Sequence, residues 1–454
     1  MQRSYRGGDK NSERRAERRQ EKEKLSLENF FCLLSDMKIS LQLFLTFFTV
    51  VFCINCSQQT IPIVRATNIQ IPASTPQIIK AEAKIINKKA DGLKVTETFL
   101  PSKENLSKVF FVDENNGWLV GSTGESDEAQ TENIYRTENS GRSWQKVSIK
   151  TEKGSGVRDI FFVNALVGWL NIQRIGGING NSSKSWLMKT NDGGTTWQNL
   201  LTQNFTEINE IKFINENNGW ITGSTHNPKN VYNEKAFIRE TTDGGKSWID
   251  ISKDLLKKNS YTDSRQLITG LIAETPNKVK VVTFGREFFK TEDAGKTWQQ
   301  FGPVFYDLPA QVTTENFGKT GNNLLRVAGG ADSIEGIFSY IATEEKNNDW
   351  TLRWFSEAFC LFDVAYLSEN NVFVCGRLSA DEKSPKSIKR IREPVIYYSS
   401  DNGATWTIVY QTSQFKNGNL ISNLNSITKV SDNHLISVGD NGLIVNIEVE
   451  NLAK

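Results

Sequence analysis

Histidine is almost absent from this chain: His226 and His434 are the only two in 454 residues. Histidine-based metal sites and histidine general bases are therefore not expected, and neither a metal nor a cofactor is assigned. Cysteine is nearly as scarce. Of five, Cys32, Cys53 and Cys56 lie in the first 56 residues, leaving only Cys360 and Cys375 in the body of the chain, too few for a disulfide scaffold. A hairpin turning at Glu369–Asn371 would set Cys375 opposite Asp363 or Val364 and not opposite Cys360, so two buried thiols are expected. Charge of one sign is also missing. With 54 basic and 52 acidic residues the net charge is +2, which gives no field for nucleic acid. Prolines number only ten while aromatics reach 10%, a balance that suits a β-rich fold and not a disordered chain.

What the chain has is one turn motif written six times. Thr190–Trp197, Thr241–Trp248, Thr291–Trp298 and Ser399–Trp406 all read Ser/Thr-x-Asp-x-Gly-x-Ser/Thr-Trp. Thr137–Trp144 has Asn139 in the aspartate place, and Thr343–Trp350 keeps only the outline. The tryptophans are 53, 51, 50, 52 and 56 residues apart, a period that signals a repeat architecture. Asp or Asn bonds back to backbone N–H groups and Gly supplies a positive φ, so the box is complete as a structural device. Its aspartates are read as neither catalytic nor metal-binding. The tryptophan leaving each turn is expected to fill space against a neighbouring module.

A second element precedes the boxes. Asn115-Asn-Gly-Trp118, Val167-Gly-Trp169 and Asn217-Asn-Gly-Trp220 each follow an apolar run, and Asn-Gly between such runs is a strong hairpin signal. Each unit thus reads as four short antiparallel strands, the requirement of a β-propeller blade. Six full units begin near residues 106, 158, 207, 267, 310 and 360, with the fifth, 303–358, the least regular. A seventh has three strands within 425–447, and Leu93–Leu100 is expected to supply its outer strand. The predicted fold is therefore all-β: a seven-bladed β-propeller of four-stranded antiparallel blades over 93–450, its last blade closed by an N-terminal strand.

The N-terminal residues fall into three parts. Residues 1–36 form a charged extension, disordered or upstream of the true start at Met37. Residues 37–56 carry Lys38 and then an apolar stretch, Ile39–Phe52, too short for a comfortable membrane span. With Cys56 behind it, this resembles a bacterial lipoprotein signal, which implies lipidation of Cys56 and an exported, membrane-anchored protein in the periplasm, cell envelope or thylakoid lumen. Asn55 and Cys53 depart from the usual small residues, so cleavage before Cys53, ordinary signal cleavage and an uncleaved anchor stay open. Residues 57–92 are expected to be a flexible tether.

The runs Phe110–Gly121 with Tyr135–Trp144, repeated as Phe213–Gly223 with Arg239–Trp248, resemble the photosystem II stability/assembly factor family of BNR, or Asp-box, propellers. The resemblance covers most of 93–448. It implies a non-enzymatic protein-binding factor for a membrane complex, one that uses an arginine-rich surface; this chain has no continuous arginine motif to match it. Asp boxes also occur in sialidases and some glycanases, so a glycan-binding module or a sialidase- or glycoside-hydrolase-like propeller is the rival class. A sialidase tends to show Phe-Arg-Ile-Pro ahead of its first box, and nothing of that form precedes Thr137. A protein partner is expected on the face opposite the Asp boxes, where the second-to-third-strand segments are long and irregular. One of them, Ser379–Glu393, carries Lys383, Lys386, Lys389, Arg390 and Arg392, the candidate partner-binding cluster.

Overall fold

The computed structural model describes residues 78–82, 84–85, 92–123, 131–147, 149, 155–174, 184–200, 207–225, 235–258, 268–283, 287–301, 312–320, 323–330, 339–344, 350–355, 359–368, 370–384, 387–412, 415–416, 419–420 and 423–450. The extension, the apolar segment and Cys56 lie outside them. No helix among the described residues is long and apolar enough to cross a membrane.

Residues 74–454 form one compact unit of antiparallel sheets. The first sheet comprises Asn105–Phe111, Gly117–Thr123, Thr131–Thr137 and Gln145–Val147, and the second Ser155–Phe162, Gly168–Arg174, Lys184–Thr190 and Gln198–Asn199. The third comprises Glu207–Phe213, Gly219–Thr225, Lys235–Thr241 and Ile249–Asp250, and the fourth Ile268–Thr275, Lys278–Thr283, Phe288–Thr291 and Gln299–Gln300. The fifth has Val312–Thr320, Asn323–Gly330, Ser339–Glu344 and Trp350–Phe355; the sixth has Phe359–Tyr366, Val372–Ser384, Ser387–Ser399 and Thr405–Gln411. In each, successive strands pair in chain order. The last sheet holds Leu424–Ser431, His434–Gly439 and Leu443–Val449, and its outer strand is Leu93–Phe99, registered from Leu93 on Val449 to Phe99 on Leu443. The chain passes into the first sheet beside this closure, with Leu100 N–H donating to Gly442 O at 2.9 Å. From the second sheet to the last the opening strands lie against one another in succession, and that of the last lies against that of the first; between the first and second sheets Thr131–Thr137 meets Ser155–Phe162, and Lys108 pairs with Asp159.

A three-ring ladder welds neighbouring sheets. Trp118 of the first sheet stacks on Phe162 of the second (centroids 3.6 Å apart, planes 9°), and Phe162 meets Trp197 edge-on at 6.0 Å. One sheet on, Trp169 stacks on Phe213 at 3.5 Å, and Phe213 meets Trp248 at 6.2 Å. The indole N–H of Trp118 donates to Gly193 O and that of Trp169 to Gly244 O, both at 3.1 Å. Glycine at the start of the second strand makes room: a Cβ on Gly219 would lie 2.2 Å from the Phe213 ring. The box tryptophans do pack against neighbouring sheets as expected, but three of them are less buried than the second-strand tryptophans. Trp118, Trp169 and Trp220 are fully buried, whereas Trp144, Trp197 and Trp248 are half-buried. Trp118 and Trp169 stack face-on against the next sheet, whereas Trp197 and Trp248 meet the same phenylalanines only edge-on. Trp298 and Trp406 are boxed tryptophans that are fully buried; Trp298 packs with Ile251 and Leu255, the latter on a short helix, Lys253–Lys258, between the third and fourth sheets.

Cys375 is registered with Asp363, and both it and Cys360 are buried and outside any disulfide, as the hairpin geometry predicted. Two further strands fall inside 57–92. Ile78–Glu82 adds in parallel to Trp350–Phe355, and Lys84–Ile85 adds in parallel to Thr405–Trp406. That segment is therefore not a tether throughout.

Candidate functional site

The Asp-box face is built from turns that satisfy themselves. In the second sheet Asp192 Oδ1 accepts from Thr196 N–H at 2.9 Å and Oδ2 from its hydroxyl at 2.6 Å, while Thr190 Oγ1 accepts from Gly194 N–H at 2.9 Å. The same bonds recur around Asp243, Asp293 and Asp401. The bonds from Thr196 hold Asp192 down at about 2; at Asp243 those from Ser247 outweigh a larger opposing effect of burial and also leave it at about 2. The residue before the box glycine takes a left-handed φ even where it is not glycine, as at Ser140 (63°), Ala294 (57°) and Asn402 (52°). Each box also bonds to the first turn of its own sheet, for example Gly193 N–H to Leu166 O at 2.8 Å and Gly244 N–H to Asn217 O at 2.9 Å. Both turn types therefore share one face, and their polar groups are largely consumed there.

The centre is organised by a bulge that repeats on every opening strand. Register shifts at Leu106/Lys108, Val157/Asp159, Ile208/Glu210, Ile268/Gly270, Val312/Thr314, Leu361/Asp363 and Leu424/Ser426 place one extra residue at the same point of each. A bulge interrupts the ladder, and the residue just after it can satisfy a backbone donor next door. Asp159 Oδ2 accepts Ile211 N–H of the following sheet at 2.7 Å, and Asp363 Oδ2 accepts Ile427 N–H of the following sheet at 3.0 Å. Their other oxygens accept Ile160 N–H and Val364 N–H, and Lys108 pairs with Asp159. Glu210 and Lys212 form a pair at 3.2 Å. Burial pushes the Glu210 and Asp363 carboxyls up. Burial opposes the Lys212 charge, but the surrounding carboxylates of Glu210, Asp159 and Asp363 outweigh it and raise its pKa. The Asp159 and Asp363 carboxylates are thus employed in holding backbone. Sequence reading missed the bulges, although polar pairs interrupt the apolar alternation at Ser107-Lys108, Arg158-Asp159, Asn209-Glu210, Thr313-Thr314 and Asn425-Ser426.

The basic cluster lies on a hairpin, not on an irregular loop. Val372–Ser384 and Ser387–Ser399 pair along their whole length, which corrects the expectation for Ser379–Glu393. The pairing is possible because the segment holds no glycine and its one internal proline, Pro385, falls at the tip. Arg390 is registered with Asp381, Lys389 with Glu382, Lys383 with Ile388 and Arg392 with Ser379. The charge is therefore mixed along the hairpin rather than uniformly basic. Lys386 lies outside the described residues, as do most of the other second-to-third-strand segments, and Arg392 is half-buried.

A cleft of about 740 Å³ opens between the closing sheet and the first box. Thr96, Arg142, Trp144, His434, Asn446 and Glu448 line it. Lys94 donates to Glu448 at 2.8 Å, and half-buried His434 is held below its ordinary pKa by burial, its Nε2 3.2 Å from Asn446 Oδ1. Ile436 approaches the box at Gly141, as Trp118 approaches Gly194 and Trp169 approaches Gly245. No group of three or more His, Cys, Asp or Glu able to hold a metal occurs among the described residues.

Residues 136–302 match the family model described as photosynthesis system II assembly factor YCF48. Over those residues, fewer than half of the chain, it is similar to the photosystem II assembly factor-like BNR propellers. No curated protein matches it in sequence. Among solved structures, one described as YCF48 bound to D1 peptide aligns with TM-score 0.52 and 16% identity over 80% of this chain and 99% of the other. The GH74 xyloglucanase from Xanthomonas campestris aligns with TM-score 0.52 and 11% identity over 80% of this chain and 54% of the other. At these identities the likeness establishes a β-propeller fold.

Proposed function

We propose, from the match of residues 136–302 to the photosystem II assembly factor-like family, that this chain is a non-enzymatic assembly factor that binds a protein partner. The fold is read as a seven-bladed ring, supported by seven repeated sheets whose opening strands succeed one another and meet last to first. The observation that carries the function is the match itself. The centre supports it, because Asp159 and Asp363 spend their oxygens on backbone donors and not on an open site. The solved structure of YCF48 bound to D1 peptide supports a peptide segment of a protein as the ligand class, with photosystem II as the client complex in a phototroph. Attachment through lipidated Cys56, outside the cytoplasm, belongs to the same reading. The partner face is assigned to the hairpin side, around Lys383, Lys386, Lys389, Arg390 and Arg392.

Affinity capture from membranes of the source organism tests this. Reversing Lys389, Arg390 and Arg392 to Glu should weaken partner recovery with little change in melting temperature. Unaltered recovery, with loss instead on altering the Asp-box face, would move the site to the other side. The xyloglucanase likeness keeps glycan binding or hydrolysis as a second reading; release of reducing ends from xyloglucan by the pure protein would favour it over the first.

A further inference from the structure

Outer strands differ sharply in length around this molecule. In the first four sheets they run three, two, two and two residues, which leaves almost no free edge. Short edges are one way native sheets avoid unwanted pairing. In the fifth sheet the outer strand Trp350–Phe355 has six residues, and in the sixth Thr405–Gln411 has seven. These are the two edges that the N-terminal segment covers. Ile78 to Glu82 register one-to-one with Trp350 to Trp354, Lys84 and Ile85 register with Thr405 and Trp406, and Leu93–Phe99 then completes the last sheet. One stretch of chain therefore runs along the rims of three successive sheets.

We propose that the outer edge of the fifth sheet is a strand-acceptor site for an extended segment of a partner polypeptide, and that Ile78–Glu82 is its resident competitor. This deepens the protein-binding reading above and rests on it. The partner is identified by what the resident shows: an extended run mixing β-branched, small and charged residues, as in Ile78-Ile-Lys-Ala-Glu82, added in parallel. Strand addition takes its affinity from main-chain bonds, which any such segment can supply. The resident is built to be displaced. It is held by five register pairs, parallel pairing is slightly weaker per residue than antiparallel, and no hairpin joins it to its acceptor, which lies some 268 residues further along the chain. A tethered segment has an effective concentration on the order of 1 mM. Against it, a free segment of intrinsic Kd about 100 μM would bind about tenfold more weakly than to a vacant edge.

The test uses the full chain with Lys80→Pro and Ala81→Pro. Adjacent prolines remove the N–H on both sides of the strand, so the resident can no longer pair. The probe is a fluorescein-labelled synthetic peptide with the sequence of residues 76–86. Its anisotropy titration should show binding at least about tenfold tighter to the variant than to the native chain, and a peptide bearing the same two prolines should not bind. Amide exchange should report Trp350–Phe355 protected in the native chain, opened in the variant and protected again by the peptide. If the double variant melts well below the native chain, Ala81→Pro alone is read the same way. Equal peptide affinity for native and variant, or equal protection of 350–355 in both, overturns the proposal. Partner capture separates this from the broader reading: recovery that the peptide does not compete overturns strand acceptance while leaving protein binding intact, and no recovery with either protein overturns the broader reading itself.

Discussion

Replacing Trp169 with alanine should cost more than replacing the box tryptophan Trp248, although the two lie in one ladder. Trp169 is fully buried, stacks on Phe213 at 3.5 Å and donates its indole N–H to Gly244 O at 3.1 Å. Lys189 sits over its ring at 4.9 Å. Deleting a buried aromatic of this kind costs about 3–5 kcal/mol. Trp248 is half-buried, meets Phe213 only edge-on and bonds within its own turn, to Gly245 O. Half the burial of a large apolar side chain corresponds to about 0.75–1.5 kcal/mol. Urea unfolding followed by circular dichroism, compared through the transition midpoints, gives both values. Combining Trp169→Ala with Phe213→Ala should show a coupling of about 0.5–1.5 kcal/mol, the stacking contribution. If Trp248→Ala proved as costly as Trp169→Ala, or if the double variant were additive, the seam would not be held by the ladder and the assignment of weight to the second-strand tryptophans would fall.

Asp363→Ala should destabilise by about 1–3 kcal/mol for the buried Ile427 N–H it strands, with Asp363→Asn recovering part of the loss in the same unfolding assay. Acid sensitivity should come partly from the boxes. Asp192, Asp243 and Asp293 titrate at about 2 in the fold against an ordinary 3.8, so their contribution is present above pH 3.8 and disappears as pH falls from there toward 2. Melting temperatures between pH 5 and pH 2 should therefore drop less steeply when these three are changed to Asn, the residue the first box already uses at position 139, where Oδ1 accepts Ser143 N–H at 2.9 Å. A chain beginning at Lys103 should melt well below one beginning at Asp91, because Leu93–Phe99 contributes seven register pairs to the last sheet, each net bond being worth about 0.5–1.5 kcal/mol; identical melting would show that the closing strand adds nothing.

The repeat was legible because its physics is local. Asn-Gly and Asp-x-Gly turns, and the alternation between them, specify a hairpin without reference to anything distant, so the strands from Asn105 to Gln300 and the last sheet are where the sequence places them. The closing strand was legible too, since three strands after Leu424 leave a fourth unaccounted for and Leu93–Phe99 alternates apolar and polar. Ile78–Ile85 was not. Ile79, Ala81, Ala83 and Ile85 do alternate with Lys80, Glu82 and Lys84, but the strand pairs in parallel across long sequence separations, with no turn signal to point to its partner. The Ser379–Glu393 hairpin hid because eight charged residues mask the alternation that register demands. The seam tryptophans were visible as residues but not as the tighter contacts, because which of two indoles enters the seam depends on the neighbouring sheet.

The candidate site was least legible where the repeats differ from one another. Boxes and ladders recur because each must meet the same neighbour. The position after the central bulge changes from sheet to sheet, as Lys108, Asp159, Glu210, Gly270, Thr314, Asp363 and Ser426, and such variation invites a search for chemistry there. A glycosidase needs two carboxyl groups about 5–9.5 Å apart, one free to give a proton and one free to attack or to activate water. Asp159 and Asp363 are each bound to two backbone N–H groups, and Glu210 is paired with Lys212. A carboxylate fixed in that way is exchanging polar satisfaction with the bulge beside it, and moving it to catalysis would leave the neighbouring strand's donor without a partner. The differences at Asp159, Glu210 and Asp363 thus serve the packing beside them, while the longer outer strands of the fifth and sixth sheets serve to accept the N-terminal segment.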